Sequence, residues 1–87
     1  MSENYQYPLD MSWTAEEMAT VIAFFNQVEK FYESKTNSEK FTAAYREFKK
    51  VVPSKGQEKQ LEREFEQVSG YSSYAAIQRL VKIGRKV

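Results

Sequence analysis

Apolar residues recur every three or four positions along most of the chain, which is the spacing of one face of an α-helix. The first run covers about residues 14–33, and Phe24 and Phe31 widen its apolar arc to roughly half of the helix circumference. Thr14 precedes Glu17 by three residues, which is the spacing of a capping box. Because a surface helix needs only a narrow apolar stripe, the wide arc predicts that the other helices wrap around this one.

Two further helices are predicted by apolar stripes with clear ends. One covers about residues 39–51 and stops before Pro53, because proline lacks the backbone donor that a continuing helix needs. The other covers about residues 55–69 and ends at Gly70, which suits the left-handed conformation just past a helix. The expected N-cap residues are Ser38 and Ser54, the latter with Gln57 at capping-box spacing.

The last run, about residues 74–86, has an apolar side and a basic side, and Ser72 or Ser73 is its expected N-cap. Four amphipathic helices with short connections predict an all-α fold around one core. A length of 87 residues supports a single helical domain, residues 1–87. A core this small is thin, and six Phe, six Tyr and one Trp are expected to compensate because each aromatic side chain buries a large area.

Residues 1–12 are predicted to form an extended N-terminal arm. Large side chains alternate with smaller or polar ones there, a period of two that is typical of extended backbone. The alternating large residues are Tyr5, Tyr7 and Leu9. We expect the arm to pack on the helices of residues 14–87, with its tyrosines and Trp13 completing the edge of the core.

Composition narrows function mainly by exclusion. The chain has 13 Lys and Arg residues against 12 Asp and Glu residues, and it has neither Cys nor His. Disulfides, cysteine-bearing zinc sites and histidine proton transfer are therefore excluded, and we expect no metal or cofactor. A net charge of +1 gives no general attraction to nucleic acid or anionic membranes. No signal peptide or membrane span is recognised, so a cytoplasmic location is expected.

Glu29 falls within the apolar arc of the first predicted helix, beside Ile22, Phe25 and Tyr32. One interpretation is a carboxyl with a raised pKa that acts as a general acid or binds a ligand. The favoured interpretation is structural: a carboxylate at the core margin that accepts hydrogen bonds from a Tyr hydroxyl, a Trp nitrogen or a Lys. No second catalytic group lies at a suitable spacing, so an enzyme is not expected.

The basic side of the last helix is a candidate phosphate-contacting surface, to which Lys49 and Lys50 could add. Its residues are Arg79, Lys82, Arg85 and Lys86. Cations near a helix C-terminus also simply complement the helix dipole, and no aromatic residues for base stacking alternate with them. The pattern therefore favours a solvated face over nucleic-acid binding.

The third predicted helix carries glutamates at every fourth position, flanked by lysines and an arginine. The glutamates are Glu58, Glu62 and Glu66. A divalent-cation site is conceivable, but the neighbouring basic residues would repel the ion. We expect instead a solvated face with two ion pairs, Lys59 with Glu62 and Arg63 with Glu66.

Several motifs together resemble an uncharacterised protein family of short proteins from Gram-positive bacteria. They are YQYPLD at residues 5–10, Trp13, FKKVVPSK at residues 48–55, Phe65 with Glu66, and SGYSSY at residues 69–74. The resemblance covers nearly the whole chain. It implies a compact, irregular array of helices, and it carries over no activity, cofactor or functional residue.

The leading functional hypothesis is a small non-catalytic interaction module with a protein partner. It depends on aromatic residues at the expected core edges, because Tyr and Trp are favoured at protein contacts. The candidate partner surface is Tyr5, Tyr7, Trp13, Tyr71 and Tyr74. The alternative is nucleic-acid backbone binding through the basic face. A homodimer would also hide leftover apolar surface.

Overall fold

The computed structural model describes residues 5–82, and within this range the chain is all-α and contains no strand. The helices are α1 (Ala15–Tyr32), α2 (Ser38–Val51), α3 (Lys55–Ser69) and α4 (Ser73–Ile77), and α4 continues into a π-helical turn (Gln78–Lys82). Residues 5–10 have no regular secondary structure and lead through a turn into α1. The predicted all-α fold with four main helices is therefore confirmed.

The longest of these helices, α1, contributes four residues to the buried core: Val21, Phe24, Phe25 and Val28. Thr14 and Glu17 form the predicted capping box: the Glu17 backbone N–H donates to Thr14 Oγ1 at 3.1 Å, and the Thr14 backbone N–H donates to Glu17 Oε1 at 2.8 Å. The middle of α1 is buried on two sides, at Phe24 and at Phe25, as its wide apolar arc predicts. No helix in the described part of the chain is long and apolar enough to cross a membrane.

Stacked aromatic rings join α1 to its neighbours. Phe24 stacks on Phe48 of α2 with ring centroids 4.5 Å apart. Phe25 stacks on Phe65 of α3 at 4.3 Å. Such pairs add about 0.5–1.5 kcal/mol to the free energy that their buried area contributes. Aromatic packing therefore fixes α2 and α3 on two sides of α1.

The N-cap of α2 differs from the sequence prediction, whereas the N-cap of α4 is one of the two predicted residues. Asn37, and not Ser38, caps α2, because its Oδ1 atom accepts from the backbone N–H groups of Glu39 and Lys40 at 2.9 and 3.1 Å. Ser72 caps α4 through the backbone N–H of Ala75, whereas Ser73 is the first helical residue and is fully buried. An amide oxygen and a hydroxyl both suit this position, so composition alone does not choose between neighbours.

The last predicted helix is α-helical over only five residues, and the π-helical turn continues it to Lys82. Ala76, Ile77 and Val81 are buried. Four residues return the chain to nearly the same side in both helix types, so a periodic apolar pattern does not distinguish them. The predicted residues 83–86 of this helix lie outside the described range.

Both ends of α3 follow the prediction, with one difference. Ser54 accepts from the backbone N–H of Gln57 at 3.3 Å, but the Gln57 side chain donates to Asp10 of the arm at 3.4 Å and does not close a capping box. Gly70 has φ +82°, and its backbone N–H donates to the Glu66 carbonyl oxygen at 2.8 Å. Only glycine adopts this conformation without strain, which ends the helix there.

Candidate functional site

The first polar cluster joins the N-terminal arm to α1. The Glu29 carboxylate is half-buried and accepts a hydrogen bond from the Tyr5 hydroxyl. The Tyr7 hydroxyl lies 3.0 Å from both Glu29 carboxylate oxygens and 2.8 Å from Asn26 Oδ1. The rings of both tyrosines also pack against Phe65. The arm is therefore held by buried rings and by hydroxyl groups that meet one carboxylate.

These tyrosines stay neutral at physiological pH. Burial, followed by the hydrogen bond to Glu29, raises the pKa of Tyr7 to about 12 and the pKa of Tyr5 still further above its usual range. A surface depression of about 270 Å³ beside Glu29 is lined by residues of α1 and by Glu33, which follows this helix. The arrangement matches the structural interpretation of Glu29, a carboxylate at the core margin that accepts tyrosine hydrogen bonds.

The second polar cluster lies between α2 and α3, and sequence reasoning did not find it. Glu58, expected on a solvated face, is only 9% exposed. Lys49 Nζ lies 2.6 Å from its Oε1 atom, and the Tyr45 hydroxyl donates to its Oε2 atom at 3.0 Å. Glu58 precedes Leu61 by three residues and Phe65 by seven, so it continues the apolar stripe of α3. That spacing is the feature of the sequence that could have indicated the burial of Glu58.

Glu62, one turn further along α3, is half-buried beside Glu58. Burial raises the pKa of Glu62 to about 7, and the charge of Glu58 and a hydrogen bond between the two carboxyl groups act in the same direction. Lys49 and Lys59 oppose this shift. Glu62 therefore gains or loses its proton close to pH 7.

The ion pairs expected along α3 are not the ones observed. Within residues 5–82 the ion pairs are Lys49 with Glu58 and Lys50 with Glu47. Lys59 is not within ion-pair distance of Glu62, nor is Arg63 within that distance of Glu66. The correction has a simple reason: Glu58 and Glu62 turn towards α2, where Lys49 and burial decide their contacts.

A cleft of about 110 Å³ opens next to this carboxyl pair, between α2, α3, α4 and the π-helical turn. Its lining residues are Tyr45, Lys55, Glu58, Lys59, Glu62, Tyr74, Ile77 and Gln78. Tyr74 is 58% exposed. Lys55 and Lys59 form no ion pair with any residue in the described range. The cleft thus combines an exposed ring, two uncompensated ammonium groups and a carboxyl that titrates near neutrality.

The five aromatic residues of the predicted partner surface do not form one exposed patch. Four of them are half-buried and pack against the core: Tyr5, Tyr7, Trp13 and Tyr71. Tyr71 also stacks on Tyr32, with ring centroids 4.7 Å apart. Only Tyr74 of the five is largely exposed, because it lies on the outer side of α4.

The candidate phosphate-contacting residues are only partly placed. Arg79 is exposed on the π-helical turn, next to Gln78 of the cleft. The side chain of Lys82 lies outside the described part of the structure, as do Arg85 and Lys86. Lys49 and Lys50 are both paired with glutamates.

The three glutamates considered as a divalent-cation site are not brought together. Among residues 5–82 no group of three or more acidic side chains is close enough to hold a metal ion, and Glu66 is exposed.

These features define a small all-α protein with an aromatic core, an attached N-terminal arm, and a cleft that contains a carboxyl group titrating near pH 7. A family model described as an uncharacterised protein family, UPF0223, matches residues 4–86. The chain therefore belongs to the UPF0223 family, which agrees with the resemblance seen in its motifs.

Curated relatives from Gram-positive bacteria match over almost the whole chain. A UPF0223 protein of Lactococcus lactis subsp. cremoris (strain MG1363) is 60% identical over 86 residues, covering 99% of this chain and 92% of the relative. A UPF0223 protein of Streptococcus sanguinis (strain SK36) is 56% identical over 85 residues, with 98% and 92% covered. No solved structure matches the chain significantly.

Proposed function

We propose that this protein is a small cytoplasmic interaction module that binds a partner protein at the cleft between α2, α3 and α4. The observation that carries the proposal is the Tyr74 ring, 58% exposed at the edge of a cleft whose lysines have no ion partner in the described range. Tyrosines beside small pockets often contribute much of the binding free energy at protein contacts.

The size of the cleft favours binding of a side chain over catalysis on a small molecule. A volume of about 110 Å³ corresponds to roughly three or four water molecules. Small-molecule sites usually enclose about 300–1,000 Å³. The Glu58 carboxylate, moreover, is already bonded to Lys49 and Tyr45. A protein partner can insert one side chain here and place the rest of its contact on the surrounding surface.

Nucleic-acid backbone binding is the weaker alternative. The carboxyl groups of Glu58 and Glu62 line the same cleft as the lysines and would repel a row of phosphates. A single exposed ring at this place also offers little base stacking. Of the predicted basic face, the described part of the chain includes the side chain of Arg79, which is exposed next to Gln78 of the cleft and supports this alternative.

The test is a capture experiment with paired variants. The wild-type protein, Tyr74→Ala and Met11→Ala are immobilised and exposed to a lysate of Lactococcus lactis, whose relative is 60% identical. Met11 is 85% exposed and does not line the cleft, so it is a matched control for losing a large exposed side chain. Circular dichroism first establishes that all three proteins have the same helix content and melting temperature.

The proposal predicts at least one identified protein that wild type and Met11→Ala retain and Tyr74→Ala loses. Equal capture by all three proteins overturns it. Sedimentation of the purified protein tests for self-association. A concentration-dependent dimer that Tyr74→Ala abolishes would mean that the cleft surface binds a second copy of the chain. This result would also overturn the proposal. Loss of capture in nuclease-treated lysate would instead favour nucleic acid.

A further inference from the structure

The charges around the cleft define which partner group fits it. We propose that the cleft receives the carboxylate of an aspartate or glutamate from an acidic segment of the partner, held between Lys55 and Lys59 beside the Tyr74 ring. This inference rests on the proposed function and specifies the chemistry of the same site.

Charge complementarity is the first argument. Lys49 and Glu58 neutralise each other, because they form an ion pair at 2.6 Å. Lys55 and Lys59 line the cleft and have no ion partner among residues 5–82. With Glu62 protonated, two positive charges stay uncompensated, and with Glu62 ionised, one does. A cationic guest would meet three ammonium groups, whereas a carboxylate would pair with two of them.

The groups facing Glu62 are the second argument, since they determine how binding responds to pH. The groups that line the cleft with it are Tyr45 of α2, the α3 residues Lys55, Glu58 and Lys59, Tyr74 of α4 and the uncharged Gln78 of the π-helical turn. The charge of Lys49 on α2 also acts on it. Tyr45 stays neutral, because burial and Glu58 raise its pKa above the usual range. Glu62, whose pKa is about 7, changes charge between about pH 6 and pH 8.

A bound carboxylate makes the ionised form of Glu62 less favourable, so binding is coupled to proton uptake. Affinity is then highest below pH 7 and falls as the pH rises through 7. One coupled proton limits the loss between about pH 6 and pH 8 to roughly tenfold. The chain contains no histidine, so no other side chain is expected to mimic this response.

The experiment uses a capped hexapeptide with two adjacent aspartates flanked by leucines, and a control peptide in which asparagine replaces both aspartates. Each is titrated into the full ¹⁵N-labelled protein at millimolar concentration, at about pH 6 and pH 8. The readouts are the shifts of the Gln78 side-chain amide and of the backbone amides of residues 55–62. We expect the aspartate peptide to bind several times more tightly at the lower pH, and the asparagine peptide to bind weakly at both.

Four substitutions sharpen the result. Lys55→Gln and Lys59→Gln are each expected to weaken binding up to about fivefold, while Lys50→Gln, which removes an exposed ammonium outside the cleft, leaves it unchanged. Glu62→Gln should bind at pH 8 as well as wild type does at pH 6, and it should remove the pH dependence. Glu62→Gln keeps the N-terminal amino group. Loss of the pH dependence in this variant would therefore show that the amino group does not cause it.

Equal binding of the two peptides, tighter binding at pH 8, or no shift at millimolar peptide would each overturn the inference. Tighter binding of a single-stranded oligonucleotide than of the acidic peptide would assign the lysines to phosphate instead. The outcomes separate the two proposals. If capture of a protein depends on Tyr74 but not on Lys55 or Lys59, the proposed interaction module is supported and only the proposed acidic segment of the partner is overturned.

Discussion

Two carboxylates lie at the margin of the same core, Glu29 on α1 and Glu58 on α3. Their surroundings differ in the charged groups that they contain. Glu29 accepts hydrogen bonds from neutral hydroxyl groups of Tyr5 and Tyr7. Glu58 is bonded to a charged ammonium group, Lys49, and has a second carboxyl group, Glu62, beside it. The first cluster joins an arm to a helix, and the second borders an open cleft.

The difference teaches where the molecule can respond to pH. Around Glu29 the hydrogen-bond donors lose their protons only near pH 12 or above, so this cluster keeps the same donors across the physiological range. Around Glu58 the second carboxyl titrates near pH 7. Pairing a half-buried carboxylate with neutral donors gives a fixed attachment, whereas placing two carboxyl groups together gives a group whose charge changes near neutrality.

The largest expected effect is that of Lys49→Met, which leaves the buried Glu58 carboxylate without its cation. Removing one partner of a buried ion pair costs about 3–5 kcal/mol, and since the Lys49 side chain is 27% exposed we expect about 2–3 kcal/mol of lost unfolding free energy. Urea denaturation at pH 8 measures it.

Lys50→Met is the matched control. It breaks the exposed pair with Glu47, whose side chains are 72% and 59% exposed, and should change stability by less than about 0.5 kcal/mol. Equal losses for the two lysine variants would contradict the view that Glu58 is buried and depends on Lys49.

The next effect in size is that of Glu62→Gln, which removes the titrating carboxyl. The pKa of Glu62 is raised to about 7 in the folded protein, from an unfolded value near 4.5. The contribution of Glu62 to the unfolding free energy is therefore fully present below about pH 4.5 and is lost as the pH rises through 7. Solvent screening of a half-exposed group reduces the contribution to about 1–2 kcal/mol. Glu62→Gln should therefore be more stable than wild type at pH 8 by about this amount.

The measurement is the unfolding free energy at closely spaced pH values between about 4 and 8. Wild type should lose stability over this interval more steeply than Glu62→Gln. Glu66→Gln, which removes an exposed carboxyl one turn further along α3, should follow the wild-type profile. Parallel profiles for wild type and Glu62→Gln would contradict a raised pKa of Glu62 in the folded protein.

The sequence predicts one of these clusters better than the other, for a physical reason. Glu29 is identifiable because its own helix carries an apolar arc wide enough to enclose it. The burial of Glu58 depends on where Tyr45 and Lys49 of α2 lie relative to α3, and spacing within one helix does not contain that information. Likewise the ends of helices at Thr14 and Gly70 follow from local hydrogen bonding, whereas the cleft requires three helices to be packed first.

The smallest effect belongs to the Glu29 cluster and tests its independence of pH. Tyr7→Phe keeps the ring that stacks on Phe25 and removes the hydroxyl 3.0 Å from Glu29, so we expect a loss of about 1 kcal/mol. Chemical denaturation should give the same loss at pH 6 and pH 8, because neither tyrosine of the cluster titrates there. Tyr74→Phe, at an exposed ring, should leave stability unchanged. A Tyr7→Phe loss that doubles between the two pH values would place a titrating group beside the arm and remove the contrast between the two carboxylates.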